Sequence, residues 1–364
     1  MVRRGICSAD LRSGWAVCLA ALILGWTLPA GAQTSVVART VEPGVITLGL
    51  AGDVMLGRRV NNRITDKGYP YPWGDLLSSI KWPDLTVINL VSILSDQQRA
   101  AAKLFVFKAD PDRVLSLKEA GIDVCVLANS HILDYDVRGM TQTIKVLGDA
   151  GVRPVGAGQN LAEAQRPVVL AKKGVRVGIL ACTDDNPDWA ARRFQPGVFY
   201  VDISNTEEVE SAIRALRPQV DLLVLSMHWH AEMHQRPNPS YVAFAHRMIG
   251  AGVDLIYGHG QHIFQGIEVY QGKLILYDTG DFVDDFRIEP EFRNDQALLF
   301  LIDVDRQGVR SLELIPALIA DEQVNLAPVV ERTQILDKMQ RLSLEFGTKL
   351  ANPGGKLSLR LRER

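Results

Sequence analysis

The sequence predicts an α/β protein, and three observations predict it. Short, nearly continuous apolar runs alternate with segments of helical periodicity. The runs are apolar on both alternating faces, as strands covered on both sides are. The polar residues with chemical potential cluster just past the ends of those runs, where open α/β sheets bind ligands. Composition agrees: 364 residues, 47% hydrophobic, 23% charged, with 30 Gly and 17 Pro, exclude a disordered chain, a collagen-like repeat and a polytopic membrane protein. Forty basic residues against 42 acidic ones leave a net charge of −2, without the basic excess of a nucleic-acid binder, so no nucleic-acid partner is expected.

In chain order, strands are expected at 46–51, 86–90, 122–128, 175–181, 220–227 and 253–257. Helices are expected between them. Asp110-Pro111 reads as a cap and first turn, followed by Val114, Leu115 and Leu117 and a stop at Gly121. Residues 137–150 end at Gly151, and 206–216 form a third helix. Residues 239–250 form a fourth, with Tyr241, Phe244, Ala245 and Met248 on one face. The pattern then changes to hairpins: 267–270 with 274–277 across Gln271-Gly272, and 297–304 with 309–314 across Gln307-Gly308. Residues 329–347 read as helical. The domain is expected over 46–325, and 326–364 as a C-terminal helix with a mobile basic tail from Asn352 onward.

The first 32 residues have the three-part layout of a secretory signal peptide. Arg3, Arg4 and Arg12 precede an apolar stretch over 15–28, and Ala30-Gly31-Ala32 supplies small residues for cleavage. An uncleaved membrane anchor is the competing reading. Residues 33–45 follow as a linker. Of the four cysteines, Cys7 and Cys18 leave with the signal peptide. Cys125 and Cys182 fall in apolar runs, either as two buried thiols or as a disulfide in an exported chain.

Six of the seven His lie on loops after the strands. The first strand ends in Gly52-Asp53, the third in Asn129-Ser130-His131 with Asp134 close by. The run ending at 227 leads into His228-Trp229-His230, with Glu232 and His234 following. The next ends in Gly258-His259-Gly260-Gln261-His262, and the hairpin in Asp278-Thr279-Gly280-Asp281. Imidazole and carboxylate together are ligands for divalent Mn, Zn or Fe, and a His outside the coordination sphere can protonate a leaving oxygen. The bland alternative is a satisfied polar network on loops. His246 reads as a helix residue. Asp281 with Asp284-Asp285 reads either as a site loop or as a solvated acidic loop. Trp73 with 69–72 reads as packing or as a polymer groove, and Arg58 and Arg59 as substrate contacts or surface residues. A G-x-S-x-G elbow, a Walker loop and H-E-x-x-H are all absent from the sequence.

The runs AGDVMLGR (51–58), NLVSILS (89–95), LANSHILDYD (127–136), HWHAEMHQRPNP (228–239), GHGQHIFQGIEVY (258–270) and ILYDTGDFVDDF (275–286) occur in order. Together they resemble the CapA family of capsule-synthesis (poly-γ-glutamate) proteins within the calcineurin-like metallophosphoesterase superfamily, over roughly residues 46 to 300. The resemblance implies a four-layer α/β/β/α sandwich with a metal site at the strand ends. By the same resemblance Asp53, His228, His259 and His262 are metal ligands, His131 is the general acid, and Glu232 is a further site residue. Ser130, Asp134, His230, Asp278 and Asp281 are additional candidates.

Two positions depart from the family pattern. Val91 stands where a Glu would bridge two metals, and Ser130 where an Asn precedes the motif His, so one ion or two remain open. The expected role is the synthesis, attachment or export of an anionic envelope polymer, in a periplasmic or extracellular protein. Its partners would be that polymer or a phosphoester substrate and membrane-bound capsule-synthesis subunits. A metal-dependent hydrolase or transferase, a non-catalytic envelope subunit and a single-metal phosphoesterase are the three readings carried forward.

Overall fold

A computed structural model describes residues 42–230, 233–353 and 356–362. The expected signal peptide and most of the linker lie outside the described residues, as does Glu232. No helix among the described residues is long and apolar enough to cross a membrane.

Two sheets dominate the described residues. The larger runs Gln323–Leu326, Gly308–Ala320, Gln296–Asp305, Ile46–Val54, Leu85–Leu90, Val124–Val126 and Arg153–Val155, with Asp281–Val283 and Ser358–Arg360 pairing to its side. The smaller runs Ile267–Tyr270, Lys273–Leu276, Leu255–His259, Leu222–His228, Val175–Thr183 and Val168–Lys172. Each has a parallel centre: Ile46–Val54 beside Leu85–Leu90 in the first, Leu222–His228 between Val175–Thr183 and Leu255–His259 in the second.

The alternation of side chains along these strands makes the layers. Ile46, Leu48, Leu50, Val87, Val124 and Val126 of the first sheet share one buried cluster with Val177, Ile179, Leu222, Val224 and Leu255 of the second. The sheets therefore pack face to face. The opposite face of the first sheet, with Ile88, Leu90 and Cys125, is covered by Val60 and Ile64 of the helix Arg58–Lys67, Leu117 of Val114–Glu119, and Met140 and Leu147 of Asp136–Asp149. The opposite face of the second, with Leu180, Leu223 and Leu225, is covered by Val209 and Ile213 of Glu207–Leu216 and by Phe244 and Met248 of Pro239–Ala251. This is the expected four-layer α/β/β/α sandwich, and it is why the strands read as unbroken apolar runs. Each large apolar side chain taken from water here contributes about 1.5–3 kcal/mol.

Two features differ from the sequence reading, and two alternatives left open by it are decided. The polar segment RRVNNRITDK is the helix Arg58–Lys67, anchored by only Val60 and Ile64, too few apolar positions to announce a helix. The tail is held rather than loose: Ser358–Arg360 pairs antiparallel with residues 311–313, and Leu357 is fully buried. Cys125 and Cys182 are both free and buried, on opposite outer faces of the sandwich, so they form no disulfide. Trp73 is buried, its indole donating to Ser116, which settles it as packing.

Candidate metal centre

The site forms where the carboxyl ends of the two parallel centres meet. The strand Ile46–Val54 bulges between Leu50 and Asp53, and the bulge brings Asp53 into register with Asn89 on one side and Asp281 on the other. Gly52 allows this approach: a Cβ there would lie 1.8 Å from the Gly280 carbonyl oxygen, which accepts the Asp53 N–H at 2.9 Å. In the facing sheet His228 is the register partner of His259. The Tyr257 hydroxyl donates to the Ala51 carbonyl and ties the two sheets together beside the site.

Two groups of possible ligands result, Asp53–His228–His259 and Asp53–His262–Asp281, and within each the ligand atoms lie within 4.8 Å of one another. His228 Nδ1 and His259 Nδ1 are 3.0 Å apart, and His259 Nδ1 is 4.0 Å from Asp53 Oδ1. His262 Nδ1 is 4.0 Å from Asp53 Oδ2 and 2.9 Å from Asp281 Oδ1. Asp53 thus presents one oxygen to each group. His262 is held with φ at +61°, a left-handed conformation that a non-glycine residue keeps only where its surroundings impose it.

Neighbouring polar groups fix these side chains. His259 Nε2 lies 2.8 Å from Ser226 Oγ. Asn89 Nδ2 donates to Asp53 Oδ1 at 2.7 Å and lies 3.3 Å from His228 Nδ1, while Asn89 Oδ1 accepts from Asn129 Nδ2 at 2.9 Å. Partners of this kind orient metal ligands.

The electrostatics of the metal-free chain are strained. Burial raises the Asp53 carboxyl from 3.8 to about 6, against the lowering influence of His262 and of the Asn89 hydrogen bond. Burial, with the Asp53 charge next, pushes Asp278 and Asp281 well above the usual carboxylate range. Asp284 is raised well above it by burial and then by Asp281. Burial lowers His259 to about 3 and drives His228 well below the ordinary imidazole value. Asp53 Oδ2, His228 Nε2, Asp281 Oδ2 and Asp284 Oδ2 are buried with no hydrogen-bond partner. Neutral imidazoles facing buried carboxylates with unsatisfied oxygens fit a divalent cation, whose charge would satisfy those oxygens and keep the carboxylates ionised.

His131 sits beside these groups and belongs to neither. Its Nδ1 lies 2.7 Å from Asp134 Oδ2, its N–H donates to Asn129 Oδ1 at 3.0 Å, and its ring stacks on Phe107 at 4.1 Å. Asp134 is fully buried and also accepts from Phe107 N at 2.7 Å and Lys103 Nζ at 2.9 Å. Burial lowers the His131 pKa, and the hydrogen bond to Asp134 opposes that. With Nδ1 directed at Asp134, Nε2 is the atom left to carry a proton to or from a substrate.

The other candidates distribute as follows. Ser130 offers its carbonyl to Lys103 Nζ. Asp278 braces the site loops, accepting from Gln261 N at 2.9 Å and Gly280 N at 2.8 Å. His230 is exposed, its Nδ1 2.9 Å from Asp185 Oδ1, in neither ligand group. His234 is tied by its backbone to Gln261 and Gln265. His246 pairs with Glu268 at 2.9 Å and stacks on Tyr270, as a helix residue would. Val91 packs in the outer apolar cluster. Asp281, Asp284 and Asp285 are buried, so the solvated-loop reading falls. Sequence reasoning did not single out Asn89, whose signal was a lone amide ending an apolar run, nor Lys103 and Phe107, which had none.

Residues 47–286 match the protein family "Bacterial capsule synthesis protein PGA_cap". A "Probable polyglutamine synthesis accessory protein" of Mycobacterium tuberculosis is 32% identical over 359 residues, covering 85% of this chain and 94% of that protein. "Capsule biosynthesis protein CapA" of Bacillus anthracis is 31% identical over 277 residues, covering 74% of this chain and 67% of that protein. Among solved structures, the Haemophilus influenzae NAD nucleotidase aligns with a TM-score of 0.41 at 10% identity, over 81% of this chain and 62% of that one, too distant to carry an argument. The match over residues 47–286 and the two relatives agree, and the chain belongs to the bacterial capsule synthesis protein family that includes CapA.

Proposed function

We propose that this chain is an exported, metal-dependent hydrolase or transferase acting on an anionic capsule or cell-envelope polymer of poly-γ-glutamate type, or on a phosphoester precursor of one. The observation that carries the reading is Asp53, one buried carboxylate offered to two groups of ligands, with the His131–Asp134 pair alongside. A divalent ion bound there supplies Lewis-acid polarisation of a phosphoryl or acyl oxygen. Asp53, His228, His259, His262 and Asp281 would hold it. His131 moves the proton at Nε2, and Asp134 fixes its ring. The names of the relatives support a role in polymer synthesis, and the signal-peptide pattern of residues 1–32 supports export. Membrane-bound capsule-synthesis subunits are its proposed partners.

A second reading, a non-catalytic envelope subunit, is favoured by Val91 alone, which is apolar where a bridging carboxylate would stand. Metal analysis of protein purified without chelator, followed by assays on an aryl phosphate and on poly-γ-glutamate chains, separates them. Stoichiometric Mn, Zn or Fe with chelator-sensitive cleavage is the expected outcome. A protein that takes up none of these ions is the subunit.

A further inference from the structure

The two arginines after Asp53 are in different electrical situations. Arg59 is fully engaged: its N–H donates to Asp285 Oδ2 at 3.1 Å, its Nη2 to the Asp285 carbonyl at 2.7 Å, and its Nε lies 3.0 Å from Glu322 Oε1. Arg63 takes the other Glu322 oxygen at 2.9 Å. Among the described residues Arg58 has one ionic contact, Nε to Asp285 Oδ2 at 3.2 Å. Three guanidinium groups therefore share two carboxylates, and Arg58 carries the surplus.

The position of that surplus is built. The Arg58 guanidinium lies over the rings of Phe107 and Phe286, 5.6 and 6.0 Å from their centroids. Phe107 stacks on His131, and Phe286 meets His262 edge-on at 5.4 Å. The cation thus rests on an aromatic floor whose other neighbours are the candidate general acid and a candidate metal ligand. Its backbone is left-handed, with φ at +53°, and the buried Asp285 carboxylate pins the Nε edge. No described residue accepts a hydrogen bond from Nη1 or Nη2. Lys103, the other cation nearby, is committed to Asp134, the Ser130 carbonyl and the Trp189 ring.

Resting on the reading of the centre as hydrolytic, we propose that Arg58 forms an anion subsite, whose Nη edge takes a two-oxygen anion of the substrate, a carboxylate or a phosphoryl group. A planar fork stacked on aromatic rings is prepared for bidentate contact, which a lysine cannot reproduce. The substrate is then one that carries a fixed oxyanion next to its reacting bond.

The test is calorimetric titration of the Mn-loaded protein with inorganic phosphate and, separately, with glutarate, for the wild type, R58Q, R58K and R59Q. The expected result is that R58Q weakens binding of at least one of these anions by about tenfold or more, R58K recovers part of it, and R59Q stays near wild type. Mn uptake should be the same in all four, and any fall in melting temperature should be largest for R59Q, whose arginine pairs with both Asp285 and Glu322. The anion that responds to R58Q identifies the group as phosphoryl or carboxylate. Equal anion binding by R58Q and wild type overturns the proposal, as does a wild type that binds neither anion. A protein that holds no Mn overturns the metal reading instead, and the same titrations on the metal-free chain still decide Arg58.

Discussion

Replacing Asp53 with Asn removes the carboxylate that both ligand groups share and leaves a side chain of the same shape. The Asp53 side chain is all but inaccessible, and burial raises its carboxyl from 3.8 to about 6. A folded-state pKa above the unfolded one means that the folded chain holds the proton more tightly. The group's contribution to stability is therefore full below about pH 4 and declines as pH rises to about 6. Two units correspond to a penalty of about 3 kcal/mol in the metal-free chain above that range. Asn is neutral throughout and can still accept the Asn89 hydrogen bond. Metal-free D53N should therefore melt higher than wild type at pH 8, by up to roughly 5 °C for a chain of this size, and the two should converge at pH 4. Added Mn reverses the order: at a hundred times the dissociation constant the wild type gains about 2.7 kcal/mol by mass action, and D53N gains nothing. Thermal melts at both pH values, with chelator and with Mn, read all of this. A D53N variant that is less stable than metal-free wild type at pH 8, or that shows the wild-type response to Mn, refutes the reasoning.

The Mn affinity of the wild type should rise with pH from 5 to 8, since Asp53 and Asp281, whose carboxyls burial raises, must lose their protons to bind, and a flat titration profile would contradict this. His131→Gln should cut turnover by about 10²–10⁴-fold while Mn uptake stays unchanged, and loss of metal together with activity would make His131 a ligand. Val91→Glu places a carboxylate in an apolar cluster and should destabilise the chain by about 2–4 kcal/mol without Mn rescue; rescue by Mn in denaturant melts would mean that this position reaches the centre after all. Burial pushes both Cys125 and Cys182 thiols far up, so a thiol reagent should label neither in the native chain and both after unfolding, a count that mass spectrometry reads directly.

The strands were legible because both faces of each are covered, which forces apolar residues at successive positions. The ranges 86–90 and 220–227 fall within a residue or two of Leu85–Leu90 and Leu222–His228. Histidines past strand ends were legible for the same reason: a polar residue at the close of an apolar run stands out. The helix Arg58–Lys67 was invisible, because two buried residues in ten make no stripe. The burial of Asp281, Asp284 and Asp285 was also invisible, because it depends on Asp281 pairing with Asp53 across distant segments of chain. Local sequence reads such a run of acids as solvated. Asn129 stood out beside His131 but Asn89 did not, and only the fold sets Asn129 donating to the Asn89 carbonyl between Asp53 and His131.

Val91 stands where the resemblance implies a carboxylate, but other carboxylates gather around Asp53. Asp278, Asp281 and Asp284 are buried near it, each pushed well above the usual range, and two of them hold unsatisfied oxygens. Arg58, Arg59 and Lys103 face other carboxylates: Asp285 for the two arginines, Asp134 for Lys103. No described Lys or Arg pairs with Asp278, Asp281 or Asp284, so a divalent ion bound there would offset the cost of burying them and would couple metal binding to folding stability. Asp281, supplied from the strand on the far side of Asp53, puts a carboxylate back into the centre from the side opposite Val91. Asp53 and Asp281 together give the site two buried carboxylates that a divalent ion would draw on.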